Sequence, residues 1–519
     1  MCGIFYSSDP GVNYERLERA TLALQHRGPD YSKALTIDST HKMGHTRLSI
    51  TDPDDRSNQP FFSSSGTHCI IFNGEIYNFQ KLKSEEDISW KTDSDTEVIV
   101  ELYEKYGPKF LDRLNGMFAI VILNIATNEI FAARDRLGVK PLFFRKRVDS
   151  ITFSSEVSTF HTVFDDLTSN LLGIEQYKTL RTTFGGTTFY KEISEFPAGT
   201  YYQDGKFHQY WELSEPNING FDLDVLNELI CDSIEIRIPR DVNFGSFLSG
   251  GVDSAIIAKL SKAGQTWCVG MPQSNEFVEA SENAKFINSV HSNLLIDDTT
   301  YLDTARYMIQ KRKEPLSVPN EVLLYLLAQE ASKSTKVIFS GEGADELFGG
   351  YSRVFEWSAT KRVFDLKEFA ALYSYSAAPD LEILESALSP FMHFENPYLI
   401  VSSFFQKFHL HGLLKRLDYA TMLAGVESRN PFVDYRLVES LFGVPLVEKN
   451  SGGTQSKWLL RNIANKYLPA SSAFREKVGF PVSIGKILSL KTDVNRQQEY
   501  DAWTDFNLRT LNLIESKNA

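Results

Sequence analysis

A cysteine follows the initiator methionine in MCGIF. Met1 is usually removed when the next side chain is small, which would leave Cys2 with a thiol and a free α-amine on one residue. That amine has an ordinary pKa of about 7.7–8.0, so part of it is a base at neutral pH beside its own sulfur. Nucleophile and base are then one residue. The competing reading is a small buried side chain at the start of a strand. A second chemical signature lies in FLSGGVDSAIIAKL, residues 247–260, where a strand runs through Ser249, Gly250 and Gly251 into a helix opening near Asp253 and Ser254. Glycines permit the tight backbone, and helix-start N–H groups favour an anion such as phosphate. An ordinary strand-turn-helix connection would not require Asp253.

A related loop follows in KVIFSGEGADELFGGY, residues 336–351, with Glu342, Asp345 and Glu346 close together. Carboxylates beside a phosphate site repel the ligand unless a divalent cation intervenes, and Mg²⁺ is held by one or two carboxylates plus phosphate oxygens. A nucleotide with Mg²⁺ fits both loops; a solvated acidic loop is the alternative for the second one alone. No GxxxxGK followed by Ser or Thr occurs, so this is not a γ-phosphoryl-transferring P-loop.

The elements that must position these residues change character along the chain. CGIFYS reads as a strand, and NYERLERATLALQ puts Leu17, Ala20 and Leu24 on one helical face, stopping near HRGPD. CIIFNGEIYN reads as strand and turn, SDTEVIVELYEKYG as a capped helix ending at Gly107-Pro108, and GMFAIVILN with NEIFAARD as a hairpin. After about residue 213, NFGSFL, TWCVGM and KVIFS alternate with helical stretches, which predicts a parallel sheet with crossover helices. From about residue 355 the chain reads as mainly helical. The boundary falls between residues 190 and 215, where PAGTYYQDGKFHQYW reads as a hairpin and linker, giving units 2–190, 191–215 and 216–519.

A chain of 519 residues exceeds one ordinary core. With 54 Lys+Arg against 67 Asp+Glu, the net charge of −13 argues against nucleic acid or an anionic membrane as main partner. No long apolar run and no basic-then-apolar N-terminus are present, so the cytoplasm is expected. Cys69, Cys231 and Cys268 are scattered in largely apolar segments and read as core.

SGGVDS is similar to the pyrophosphate-binding loop of the ATP pyrophosphatase family. Together with SGEGADELFGGY, ESRNPFVDYRLVE, KWLLRNIA and REKVGFP it resembles the synthetase domain of the glutamine-dependent asparagine synthetase family. The N-terminal part resembles that family's class II glutamine amidotransferase domain through MCGIF, LQHRGPD, HTRLSI, NQP, FNGEIYN, SDTEV and RDRLGVKPLF. The resemblance implies an α+β N-terminal nucleophile hydrolase sandwich followed by an α/β parallel-sheet domain with a helical C-terminal part.

It further implies that Cys2 attacks the glutamine side-chain amide, with Asn73 and the N–H of Gly74 as oxyanion hole. Arg47 would partner the α-carboxylate, and Glu75 and Asp95 the α-ammonium. In the second domain it implies attack of a carboxylate on the α-phosphorus of ATP, then displacement of AMP by ammonia. Ser249, Gly250, Gly251, Asp253, Ser254, Ser340 and Gly341 match nucleotide and pyrophosphate loops, Asp253 and Asp345 the Mg²⁺ ligands. Lys477 matches a lysine that neutralises phosphoryl charge, and Glu342 a carboxylate that accepts a proton from ammonia. The family passes ammonia between its sites inside the protein, and a homodimer is common in it.

Aspartate is the family's best-known acceptor and the favoured one, although KEPLSVPNEVLLYLL departs from the usual pattern and related enzymes amidate other carboxylates in polysaccharide or natural-product pathways. A non-catalytic glutamine- or nucleotide-binding regulator is the reading of another class. Cys2, Asn73, Asp253, Glu342 and Lys477 together speak against it, because binding alone needs no nucleophile.

Overall fold

The computed structural model describes residues 1–213, 216–217, 220, 222–453, 455–476, 482–490 and 494–514. Two antiparallel sheets come first. One has the order β10 (Ser194–Glu195), β8 (Phe143–Lys146), β9 (Ile151–Ser154), β1 (Cys2–Ser7), β3 (Lys42–Arg47), β2 (Tyr31–Thr36). The other runs β12 (Lys206–Gln209), β11 (Thr200–Gln203), β7 (Ile130–Arg134), β6 (Gly116–Asn124), β5 (His68–Ile76), β4 (Phe61–Phe62). The hairpin anticipated in PAGTYYQDGKFHQYW is β11 and β12, and it extends this sheet through pairing of β11 with β7.

Strand β6 shows how the layers stack. Its residues alternate between two cores, as a period of two requires. Phe118, Ile120 and Ile122 join Val98, Ile99 and Leu102 of the helix Asp95–Tyr106, whereas Ala119, Val121 and Leu123 join Ile4 and Tyr6 of the other sheet. The far side of the first sheet is covered in turn: Phe5 packs with Leu17, Ala20 and Leu24 of the first helix region and with Ile174 and Tyr177 of Leu171–Leu180. The result is two sheets between two helical layers. Cys69 and Cys268 are core as expected, but Cys231 is only partly buried, its sulfur facing the Tyr467 hydroxyl.

The third sheet is wholly parallel, ordered β15 (Val290–Leu295), β14 (Gln265–Gly270), β13 (Phe244–Phe247), β16 (Val337–Phe339), β17 (Glu427–Arg429). From β13 the chain winds outward to β14 and β15, then returns to add β16 and β17 on the other side. The carboxyl ends of β13 and β16 therefore flank a topological switch point, where open α/β sheets leave a crevice for ligands. Both glycine loops begin there. Beyond residue 351 the described chain is helical except for β17. Among the described residues no helix is long and apolar enough to cross a membrane.

Buried charge joins the antiparallel part to the parallel part. Arg27 donates to the Cys2 carbonyl at 3.2 Å, to Glu156 at 3.0 Å and to Asp418 at 2.8 Å, and Lys140 reaches the other Asp418 oxygen at 3.1 Å. Asp418 thus neutralises two cations that water does not reach. Removing one partner of a buried pair typically costs roughly 3–5 kcal/mol, because the other charge stays behind. Asp418→Asn should therefore lower unfolding stability by about that amount in a urea titration; a change below about 1 kcal/mol, the size of an exposed pair, would contradict this account of the junction.

Candidate functional site

Register places the first constellation. In the β1–β3 pairing Cys2 lies directly opposite Arg47. Alternation turns Cys2, like Ile4 and Tyr6, toward the second sheet. There the Cys2 amide N–H donates to Asn73 Oδ1 at 3.1 Å, while Asn73 Nδ2 is buried without a hydrogen-bond partner. An unpaired buried donor is costly and calls for an acceptor that arrives later. An oxyanion forming beside the Cys2 sulfur is such an acceptor. CIIFNGEIYN is strand and turn as expected: Asn73, Gly74 and Glu75 continue β5, and the turn follows at Tyr77 and Asn78.

Glu75 and Asp95 are brought together and isolated from water. Asp95 opens its helix behind the cap residue Ser94 and accepts from the Ile76 N–H at 3.0 Å; Glu75 accepts from the Thr51 hydroxyl at 2.8 Å. Burial, then the neighbouring Glu75 charge, pushes Asp95 up to about 8, and burial raises Glu75 as well. Two such acids are a seat for a cation. Arg47 spends its Nη nitrogens on the carbonyls of Thr51, Asp52 and Asp54 and on Asn58 Oδ1, so in the substrate-free protein it organises the loop over this seat.

Met1 continues the strand here. Its ammonium pairs with Glu427 Oε2 at 3.1 Å, and its side chain belongs to a buried cluster with Leu48, Met117, Val139, Phe432 and Val433. Its removal transfers the free amine to the nitrogen that already faces Asn73 and vacates a methionine's volume between the two parts of the chain. Burial holds the Cys2 thiol above its usual value while Met1 is present. Arg429, from the end of β17, completes this region: Nη2 lies 3.0 Å from Glu75 Oε2, and Nε donates to Glu427 Oε1 at 2.7 Å.

The second constellation sits at the switch point. Helix Val252–Leu260 starts after Gly251, with Ser249 Oγ accepting from the Gly251 N–H and Ser254 Oγ from the Ser249 N–H, both at 3.1 Å. Gly341 lets the second loop close on the first: a Cβ there would lie 3.0 Å from Asp253 Cβ and 3.2 Å from the Ser254 nitrogen. The Ser340 N–H donates to the Arg429 carbonyl at 3.0 Å, so the loop is anchored by the residue whose side chain reaches Glu75. Glu342 is paired with Arg416 at 3.1 Å, and Arg416 Nε is buried without a partner. Glu346, bonded to Tyr351 at 2.6 Å, is pushed up to about 8 by burial and by Asp345.

Asp253 and Asp345 converge on one cation. Lys457 Nζ lies 2.6 Å from an oxygen of each, and the other Asp253 oxygen, Oδ1, is buried with no hydrogen-bond partner. This donor set fits Mg²⁺ with phosphate oxygens, which needs only one or two carboxylates. Lys477 lies outside the described residues. Sequence reasoning missed Lys457, Arg416, Arg429 and Glu276, whose carboxylate accepts from the Gly250 N–H at 3.0 Å. Lys457 and Arg429 stand in the quoted segments KWLLRNIA and ESRNPFVDYRLVE, but no spacing signalled a partner far away in sequence.

Comparison with known proteins matches two family models, one described as glutamine amidotransferase domain over residues 1–211 and one as asparagine synthase over residues 225–514. Similar relatives include asparagine synthetase (glutamine-hydrolyzing) 1 of Bacillus subtilis (strain 168), 29% identical over 91% of this chain and 84% of the relative. Asparagine synthetase B (glutamine-hydrolyzing) of Escherichia coli (strain K12) is 29% identical over 93% and 83%. A Sandersonia aurantiaca asparagine synthetase (glutamine-hydrolyzing) is 29% identical over 93% and 87%.

The acid pair gives a pH prediction. A proton held on Asp95 up to about pH 8 must leave before the pair can take an ammonium as a full counter-charge. The KM for glutamine should therefore fall as pH rises toward 8, below the range in which the α-ammonium itself loses its proton, and Asp95→Asn should raise KM and flatten that fall. A KM independent of pH in the unaltered protein would contradict the placement of the ammonium at this pair.

Proposed function

Because the chain belongs to the asparagine synthase family, we propose that it is a glutamine-hydrolysing amidating ligase that converts aspartate to asparagine at the cost of ATP. The observation that carries the reading is the joining of two chemically complementary sites. A strand-start cysteine beside the unpaired Asn73 Nδ2 is linked through Glu75 and Arg429 to a glycine loop that brings Asp253 and Asp345 onto one cation.

In the first site the Cys2 sulfur attacks the amide carbon of glutamine. The oxygen, now carrying charge, takes hydrogen bonds from Asn73 Nδ2 and the Gly74 N–H; losing one such donor typically costs about 10²–10³ in rate. Glu75 and Asp95 receive the α-ammonium and Arg47 the α-carboxylate. The free Cys2 amine moves the proton to the leaving ammonia, and water then releases glutamate from the thioester.

In the second site the acceptor carboxylate attacks the α-phosphorus, and the loop residues Ser249, Gly250, Gly251, Ser254, Ser340 and Gly341 hold the departing pyrophosphate. Mg²⁺, held by Asp253 and Asp345, supplies charge neutralisation there when bound. Lys477 is assigned to charge on the reacting phosphoryl group and Glu342 to the proton lost by ammonia. The pairing of Glu342 with Arg416 orients that carboxylate.

A second reading, amidation of another carboxylic acid, has one observation in its favour. The two carboxylates in the departing segment KEPLSVPNE are consumed internally: Arg312 pairs with Glu321 at 2.6 Å, and Lys415 with Glu314 at 3.4 Å. They are not offered to an amino-acid headgroup. Incubation with ATP, Mg²⁺, glutamine and a panel of carboxylic acids separates the readings by product mass. Aspartate should yield asparagine with AMP and pyrophosphate in equal amounts; ADP and phosphate would overturn the adenylate route for any acceptor.

Correctly processed Cys2→Ala should lose glutamine-driven synthesis and keep synthesis driven by ammonium salts at mildly alkaline pH. Substantial glutamine-driven product in that variant would remove Cys2 from its role.

A further inference from the structure

Two charged side chains fill the nucleotide cradle from within. Lys457 is 3% exposed, and its ammonium stands 2.6 Å from both Asp253 and Asp345. Glu276, 4% exposed, lies on the Gly250 N–H that a phosphate oxygen would take. Lys457 takes one oxygen of each acid and leaves Asp253 Oδ1 without a partner. A divalent cation bridging both acids at about 2.0–2.1 Å would therefore stand against an ammonium already in contact with both.

The fold is built around this arrangement. Lys457 sits in the left-handed region, φ 54°, at the cap of the helix Trp458–Ala464, whose Leu459, Leu460 and Ile463 join the core of Val252, Ala255 and Ile256. A non-glycine residue adopts that backbone only where its surroundings over-determine it. At Gly350 a Cβ would fall 1.8 Å from Asp345 Oδ1 and 2.5 Å from Lys457 Cε, so only glycine lets the loop close over the pair.

The energetic consequence follows from what each newcomer would leave behind. A bare cation entering between Asp253 and Asp345 would strand a buried ammonium, and a bare anion on the Gly250 N–H would push against the Glu276 carboxylate. A metal–polyphosphate complex avoids the first penalty, because its oxygens receive the displaced lysine, and it softens the second, because its own cation offsets its charge. Resting on the reading of this cradle as the nucleotide site, we propose that Lys457 and Glu276 are internal stand-ins for the metal and for a phosphate oxygen, so that the site admits the metal–nucleotide complex as a unit and neither component alone.

The test is direct binding of Mn²⁺, followed by loss of the free-ion electron paramagnetic resonance signal. The full chain should take up Mn²⁺ at least about tenfold more tightly with α,β-methylene-ATP, corrected for binding to the analogue alone, than without it. Lys457→Met should bind Mn²⁺ without nucleotide at least about tenfold more tightly than the unaltered chain. Asp253→Asn in that background should abolish the gain. In parallel, Glu276→Ala should bind metal-free inorganic pyrophosphate more tightly in calorimetry, and equal affinities would overturn the part assigned to Glu276. Stoichiometric Mn²⁺ uptake by the nucleotide-free unaltered chain, unimproved by the analogue, would overturn the part assigned to Lys457, and this arm decides even if Lys457→Met fails to fold. Failure of the analogue to bind at all would overturn the reading of the cradle itself.

Discussion

The ion pair between Glu75 and Arg429 is the constraint on which the arrangement rests. Glu75 belongs to the second antiparallel sheet and Arg429 to the edge of the parallel sheet, and both are almost wholly buried. A lone buried carboxylate takes up a proton; two side by side do so more readily. Arg429 answers both Glu75 and Glu427, and Asp95, the acid beside Glu75, has no cation partner among the described residues. The same residue carries the carbonyl that holds Ser340. One amino acid thereby ties the geometry of the glutamine pocket to the start of the acidic nucleotide loop.

The two sites use opposite strategies for charge. Near Cys2, the protein leaves polar groups short of partners: Asn73 Nδ2 has no acceptor and Asp95 shares its surroundings with a like charge. Such a site is prepared for a small zwitterion that brings the missing charges. In the nucleotide cradle Lys457 and Glu276 supply opposing charge in advance, against Asp253 and Asp345 and on the Gly250 N–H, until a larger ligand replaces them. The difference follows from ligand charge, since glutamine is neutral overall and a metal–nucleotide complex is not.

Much of this was legible in the sequence wherever chemistry was local. The glycine pairs, the strand-to-helix passage at SGGVDS and the alternation in GMFAIVILN fixed loops and strands from neighbours a few residues apart. The cap at Ser94 placed Asp95 at a helix start. What escaped was set by partners hundreds of residues distant. Strand β17, only three residues long, forms because β16 offers it an edge, and nothing in its own composition announces it. Strand β15, VHSNLL, is largely exposed and carries little apolar pattern. Nothing adjacent to Lys457 or Arg429 in the sequence points to Asp253, Asp345 and Glu75, which the fold sets against them.

The most direct test of the central claim is Arg429→Lys, assayed for synthesis with glutamine and, separately, with ammonium. Lysine keeps the positive charge but lacks the planar fork that spans Glu75 and Glu427. If the pair holds the glutamine pocket in shape, the glutamine KM should rise at least about tenfold, equivalent to about 1.4 kcal/mol, while ammonium-driven synthesis is largely retained because the Ser340 anchor is a backbone carbonyl. Equal loss of both activities, or an unchanged glutamine KM, would contradict the account.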